Sequence, residues 1–132
     1  MKAIVFHSLA HASAALAASG DAQCPITLVT PPQGARYAGP LFYWEVLIQA
    51  ERATGTNVAA KLIDCGAYGG VAMAALRCGW RTLVFSGPTA VFEKLRSMAG
   101  ALGGNVVNKS PDALDLLDER DPAAACRRYL DG

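Results

Sequence analysis

The stretch KLIDCGAYGG, residues 61–70, is the clearest indication of the fold in this sequence. Its apolar residues Leu62 and Ile63 belong to a short run that predicts a buried strand ending at Asp64. The glycines that follow predict a turn, and a helix is expected to begin near Gly70. A buried strand that passes through a glycine-rich turn into a helix is typical of α/β proteins with a parallel sheet.

The same order of strand, turn and helix recurs along the chain. Apolar runs predict five strands, at residues 3–6, 26–29, 59–64, 81–85 and 106–107. The longest irregular segment is the loop from Pro31 to Pro40, and the tail from about Asp112 is predicted to be helical. We therefore expect a single α/β domain over residues 1–132, a three-layer sandwich. Its five-stranded, mainly parallel sheet would have a flavodoxin-like or Rossmann-like doubly wound topology.

Composition narrows the class of protein and its partners. Of the 132 residues, 52% are hydrophobic and 17% are charged, and the net charge is +1. No basic run is longer than Arg127-Arg128, so we expect no nucleic-acid partner, because phosphate binding needs several basic residues on one face. No segment approaches the roughly 20 apolar residues of a membrane span, so no membrane contact is expected. The four cysteines form no C-x-x-C pair, and we interpret them as thiols of a cytoplasmic protein.

Polar residues gather at the predicted carboxyl ends of the strands. Right-handed crossovers place all strand-to-helix loops at one edge of a parallel sheet, where ligands of such folds bind. We expect a small anionic ligand there, because backbone amides at a helix start receive anions. The expected ligand-binding residues are Ser8, Asp64, Gly66, Tyr68, Gly69, Ser86, Gly87 and Lys109.

Three residues are candidates for catalysis, although they complete no catalytic constellation. Cys65 is a nucleophile if the helix start lowers the pKa of its thiol; the alternative is a small buried hydrophobic residue. The candidate functional roles of Asp64 are those of a phosphoacceptor, a base or a hydroxyl anchor. The alternative is that its carboxylate accepts hydrogen bonds from the amides of the glycine turn. His7 is a base, or else a neutral side chain satisfied by a neighbouring loop.

Motifs for common cofactors and metals are missing. The turn HSLAH, residues 7–11, contains no glycine, so the G-x-G-x-x-G fingerprint of dinucleotide-binding proteins is not met. No G-x-x-x-x-G-K-[ST] loop occurs. His7 and His11 are four residues apart, but no glutamate lies between them and no third ligand is evident. We expect neither a cofactor nor a metal.

The order of polar strand ends resembles that of response-regulator receiver domains. Receivers have an aspartate after strand three, a Ser or Thr after strand four and a lysine after strand five, which here are Asp64, Ser86 and Lys109. They bind Mg²⁺ with an acidic pair after strand one, where this chain has His7 and Ser8. The resemblance therefore implies a degenerate receiver-like signalling domain.

The span from Cys65 to Leu95 resembles the active-site loop of rhodanese-like sulfurtransferases in the order of its elements. In that family a cysteine in a glycine-containing loop precedes a helix, a Gly-aromatic pair, a strand and another glycine turn; the pair here is Gly79-Trp80. The arginine and serine of the family's loop are replaced by Gly69 and Gly70. This resemblance implies an enzyme that depends on Cys65.

The helix predicted from Gly39 to Ala53 has more apolar surface than packing on a sheet requires. A helix on a sheet needs one apolar stripe, about 100° wide. We expect the surplus to form a homodimer interface; the alternative is deeper burial under the C-terminal tail. The expected interface residues are Leu41, Phe42, Trp44 and Ile48.

The expected function is therefore that of a small cytoplasmic binding or regulatory module that holds an anionic ligand at the sheet edge and self-associates. The alternatives are a Cys65-dependent, sulfurtransferase-like enzyme and a degenerate receiver-like domain. The binding module is favoured over an enzyme because no set of catalytic residues is complete.

Overall fold

The strands lie close to the predicted apolar runs, and the sheet contains one strand more than expected. The computed structural model describes all 132 residues. The strands are β1 (Lys2–Val5), β2 (Ile26–Val29), β3 (Ala60–Asp64), β4 (Thr82–Val84), β5 (Asn105–Val107) and β6 (Ala113–Asp115). They form one six-stranded sheet in the order β5-β4-β3-β2-β1-β6.

Strand pairing confirms a parallel α/β sheet. β1 pairs in parallel with both β2 and β6, and β4 pairs in parallel with both β3 and β5. Ile4, Leu28 and Ile63 are fully buried, as expected for strands that read as continuous apolar runs. The architecture is a parallel sheet flanked by helices, Rossmann-like in general terms.

Six helices connect or follow the strands. They are α1 (Leu9–Ala22), α2 (Gly34–Tyr37), α3 (Pro40–Thr54), α4 (Gly69–Cys78), α5 (Thr89–Ala101) and α6 (Pro122–Asp131). The short helix α2 lies inside the segment that was predicted as an irregular loop, and it follows Gln33, whose φ is +59°. None of these helices combines the length and the apolar composition that crossing a membrane requires.

The prediction of five strands is wrong, because the segment after Asp112 forms β6 before any helix begins. β6 has only three residues, too few for a periodic pattern, and it depends on β1, with Ala113 opposite Ala3 and Asp115 opposite Val5. The terminal helix starts later than predicted, at Pro122. Its first turn is capped by Asp121, whose side chain accepts a hydrogen bond from the amide of Ala124.

The chain forms two compact units, each built from separate parts of the sequence. The first unit comprises Met1–Val29, Glu45–Ala60 and Pro111–Gly132, and the second comprises Thr30–Trp44 and Lys61–Ser110. In the first unit α1 packs against α6, and in the second α4 packs against α5. The single domain expected from the sequence remains a prediction.

Candidate functional site

In the second unit, Asp64 holds the turn between β3 and α4. Its Oδ1 accepts a hydrogen bond from the amide of Gly66 at 2.9 Å, and its Oδ2 accepts one from the hydroxyl of Ser110 at 3.1 Å. The amide of Asp64 itself donates to Oγ1 of Thr30 at 2.9 Å. Because both carboxylate oxygens of this buried residue already have protein donors, the geometry favours a turn-holding role over a phosphoacceptor or a base.

Cys65 is enclosed by the core behind the same turn. Its side chain is fully buried, and Sγ lies 3.9 Å from the carbonyl oxygen of Ile63. Burial, with a smaller contribution from the charge of Asp64, raises the pKa of the Cys65 thiol to about 12. The thiolate is the nucleophilic form, so this environment argues against a nucleophilic Cys65 and fits the alternative of a small buried hydrophobic residue.

Tyr68 and Arg36 cover the outside of the turn. Nη1 of Arg36 donates a hydrogen bond to the hydroxyl of Tyr68 at 2.6 Å, and the guanidinium lies 4.3 Å from the centroid of the tyrosine ring. Gly66 has a φ of +56°, and a Cβ there would lie 3.3 Å from Cγ of Gln33. The segment that contains α2 therefore packs on the β3–α4 turn through Gln33 and Arg36, while the neighbouring Tyr37 is 77% exposed.

An open cavity of about 450 Å³ lies in the second unit, where β4 ends and α5 begins. The preceding residue Pro88 supplies no side-chain hydrogen bond to the first turn of α5, so the amides of that turn remain without a side-chain cap. Phe85 is fully buried, whereas Thr89 and Glu93 are exposed. The lining residues are Phe85, Ser86, Gly87, Thr89, Phe92, Glu93 and Asn108.

The starts of α4 and α5 are neighbours. The amide of Ser86 donates to the carbonyl oxygen of Gly66 at 2.8 Å, and a Cβ on Gly69 would lie 3.2 Å from Cγ1 of Val91. At Gly87 a Cβ would lie 2.4 Å from Cζ of Phe85, so glycine is required by close approach. α4 also lacks a side-chain cap, since its N-cap residue is Tyr68. Two uncapped helix starts therefore lie side by side.

In the first unit, a reciprocal cap at the start of α1 fixes the position of His7. Oγ of Ser8 accepts a hydrogen bond from the amide of His11 at 3.2 Å, and Nδ1 of His11 accepts one from the amide of His7 at 3.1 Å. This pairing of an N-cap serine with a side chain three residues later is a variant of the capping box. Ser8, expected to bind ligand, therefore has a structural role as the N-cap of α1.

His7 pairs with a residue that the sequence did not single out. Nε2 of His7 lies 2.6 Å from Oδ1 of Asp115, which also accepts a hydrogen bond from the amide of Leu117 at 2.9 Å. The side chains of His7 and Asp115 are 20% and 48% exposed. Asp115 ends β6 and His7 follows β1, and the strand order reverses at β1 because β6 and β2 lie on opposite sides of it. Such reversals are where ligands of doubly wound folds bind.

Neighbouring groups shift the pKa values of His11 and Asp115. Partial burial, followed by the charge of His7, lowers the pKa of His11. Burial alone would raise the pKa of Asp115, but hydrogen bonds from the amide of Leu117 and from His7 hold it below its ordinary value. Asp115 is therefore ionised at neutral pH, and His11 is neutral. The rings of His7 and His11 meet edge to face, with centroids 5.6 Å apart.

The predicted site residues are divided between the two units. His7 and Ser8 belong to the first unit, and all the other predicted residues belong to the second. Lys109 is exposed, and it is not part of the cavity lining. The second-unit residues are Asp64, Cys65, Gly66, Tyr68, Gly69, Ser86, Gly87 and Lys109.

Sequence reasoning missed Asp115 and Arg36, for different reasons. Asp115 lies in the tail that the sequence predicts to be helical, so the sequence predicts no strand end there. Arg36 lies in the segment from Pro31 to Pro40 that the sequence predicts to be irregular, and its contact with Tyr68 joins residues 32 positions apart. No group of three or more His, Cys, Asp or Glu side chains has the geometry to hold a metal ion.

No protein-family model matches the chain, and no curated protein is significantly similar to it. Its function must therefore be inferred from its own residues and their geometry.

Proposed function

We propose that this chain is a binding module for a small anionic ligand, and that the ligand enters the cavity at the start of α5. The observation that carries the proposal is the uncapped first turn of α5, which borders a cavity of about 450 Å³. Amides at a helix start carry partial positive charge and need acceptors, so they favour a negatively charged group. Ser86 and Thr89 add hydroxyl groups at the same rim.

The remaining lining limits what the ligand can be. Phe85 and Phe92 supply an apolar part of the wall, and Asn108 supplies an amide. Glu93 contributes a carboxylate, which repels a second anionic group at that side of the cavity. The best fit is a small molecule with one anionic group near Thr89 and a flat or aliphatic body against Phe92.

The predicted turn residues support this site from behind. Asp64 and Gly66 fix the β3–α4 turn, Tyr68 and Gly69 begin α4, and Gly87 leaves room for Phe85. In the proposal these residues shape the wall, whereas Ser86 and the first amides of α5 contact the ligand. Lys109 is exposed and lies outside the cavity lining, so the proposal gives it no direct contact with the ligand.

The experiment uses phenyl phosphate as the probe, since it combines an anionic group with a ring. Thr89→Asp places a carboxylate at the first residue of α5, where it competes with the ligand for the helix amides. We expect affinity measured by calorimetry to fall about tenfold or more. The matched control is Ser97→Asp, which adds the same charge at an exposed position farther along α5 and should leave affinity nearly unchanged. Equal effects of the two variants, or no binding by the wild type, would contradict the proposal.

We also propose that the chain self-associates through the start of α3. Leu41 and Phe42 are 62% and 47% exposed, an unusual amount of apolar surface for adjacent residues. Trp44 is less available, because its ring packs against Trp80 at a centroid distance of 5.2 Å. Ile48 is half-buried. The proposed contact is therefore smaller than the predicted one and is centred on Leu41 and Phe42.

Light scattering after size exclusion tests the homodimer. Leu41→Glu should convert a dimer to a monomer at micromolar concentration, because a buried unpaired carboxylate is costly. Met98→Glu, at another exposed apolar position, is the control and should leave the mass unchanged. A monomeric wild type would overturn the proposal.

The other predicted functions have less support from the geometry. A Cys65-dependent enzyme needs an accessible thiolate, and a receiver-like domain needs an aspartate with oxygens free to react. The first is opposed by the buried thiol, and the second by the donors already bound to Asp64. The cytoplasmic location stays a proposal, which cell fractionation would test.

A further inference from the structure

The first unit contains a histidine–aspartate pair that the anion-binding site does not use. Nε2 of His7 is bound to Asp115, as described above, whereas Nδ1 of His7 has no hydrogen-bond partner within the protein. When the ring is neutral and Nε2 carries its proton toward the carboxylate, Nδ1 presents a lone pair. A base held by a carboxylate on one side and open on the other is the arrangement that general base catalysis requires.

Hydrogen bonds from the surrounding turns position both residues of the pair. The amide of His7 is fixed by Nδ1 of His11, and Oδ1 of Asp115 is fixed by the amide of Leu117. The two residues follow neighbouring strands, β1 and β6, at the point where the strand order reverses. The bond between Nε2 and Asp115 then orients the His7 ring, with Nδ1 on the side away from the carboxylate.

The surroundings indicate the class of molecule that fits. Asp115 contributes a carboxylate to this site, and no lysine or arginine pairs with that carboxylate. The negative charge therefore disfavours an anionic ligand. Two exposed apolar side chains adjoin the pair in sequence: Leu9, which is 39% exposed, and Leu117, which is 61% exposed. A neutral molecule with an O–H group and an apolar body, such as a phenol or a hydrophobic alcohol, matches both features.

We propose that His7 and Asp115 form a proton-transfer site for such a neutral hydroxyl compound. The O–H bond of the ligand breaks as its proton moves to Nδ1 of His7, and the oxygen keeps the electron pair. The ring becomes an imidazolium whose Nε2–H remains hydrogen-bonded to the carboxylate of Asp115, and the ligand oxyanion pairs with the new Nδ1–H. Reversal of the step returns the proton to the oxygen. None of its residues belongs to the proposed anion site, and the proposal does not depend on that site.

The test uses p-nitrophenol, whose phenolate is yellow and whose neutral form is colourless. At a pH below the pKa of the free phenol, addition of wild-type protein should increase the yellow absorbance. His7→Gln keeps an N–H where Nε2 stands, so it can still bond to Asp115, but it lacks Nδ1 and should abolish the increase. Asp115→Asn should reduce the increase about tenfold, because an amide does not balance the imidazolium charge.

Two controls separate proton transfer from a loss of structure. Asp118→Asn removes a nearby exposed carboxylate and should leave the absorbance change intact. Asp112→Asn, at a second exposed carboxylate of the same segment, should also preserve it. Circular dichroism confirms that each variant is folded. An equal increase with His7→Gln, or no increase with the wild type, would overturn the proposal.

Discussion

At the scale of single residues, the surroundings of each side chain decide its role. Asp64 sits at a strand end where catalytic carboxylates are often found, yet its two oxygens bind the amide of Gly66 and the hydroxyl of Ser110. Cys65, one residue later, lies wholly inside the core. The geometry thus favours a structural role for both of these adjacent residues.

Removal of the Asp64 side chain should therefore destabilise the protein. Asp64→Ala leaves the amide of Gly66 and the hydroxyl of Ser110 without their acceptor, and we expect the free energy of unfolding to fall by about 2–3 kcal/mol. Ser110→Ala removes one of the two bonds and should cost about 1 kcal/mol. Urea unfolding of both variants measures the difference. If Asp64→Ala has the same free energy of unfolding as the wild type, the turn does not need this carboxylate.

Thiol labelling should divide the cysteines by burial. Cys24 and Cys78 are partly exposed, whereas Cys65 and Cys126 are buried, with thiol pKa values raised by burial to about 12 and about 11. We expect iodoacetamide at neutral pH to modify Cys24 and Cys78 first, because alkylation needs an accessible thiolate. Mass spectrometry of the labelled peptides reads the order. Early modification of Cys65 in the folded protein would contradict its assigned environment.

At the scale of elements, local sequence signals specify some features well and others poorly. The turn after β3 was predicted because glycines, an acid and an apolar run are consecutive in the chain. The acceptor role of Asp64 was among the predicted alternatives for the same reason. β6 was missed because its three residues are stabilised by β1, which lies far away in the sequence. The partner of His7 was missed with it, since Asp115 ends that strand.

The reciprocal cap of α1 gives a prediction at this scale. Ser8→Ala removes the acceptor for the amide of His11, and loss of a serine N-cap costs about 1 kcal/mol of stability. Ser8→Asp keeps an acceptor at the same place and should restore most of that stability. Thermal unfolding of the three proteins compares them. If Ser8→Ala is as stable as the wild type, the N-cap contributes nothing to the stability of the protein.

At the scale of the whole molecule, stability should fall on both sides of neutral pH. The folded chain lowers the pKa of His11 below 6.5 and that of Asp115 below 3.8. The unfolded chain therefore binds protons first as the solution becomes acidic, so stability declines below about pH 6.5 and again below about pH 4.

The alkaline side has the opposite origin. Burial raises the pKa of Cys65 from 9.0 to about 12, so the unfolded chain loses this proton while the folded chain keeps it. Stability should decline as the pH rises above about 9, and Cys65→Ala should make that decline shallower. Midpoints of urea unfolding, measured across the pH range, test the predicted declines in stability at both acidic and alkaline pH. If Cys65→Ala loses stability above pH 9 as steeply as the wild type, the burial of this thiol is contradicted.

Amide chemical shifts report directly on anion binding at the uncapped start of α5, as proposed above. In a titration of ¹⁵N-labelled protein with phenyl phosphate, we expect saturable shifts of the amides of Gly87, Thr89, Ala90 and Val91, and smaller shifts elsewhere. Thr89→Asp should suppress these shifts. Saturable binding that leaves the α5 amide shifts unchanged, or no binding at all, would overturn the proposed anion site.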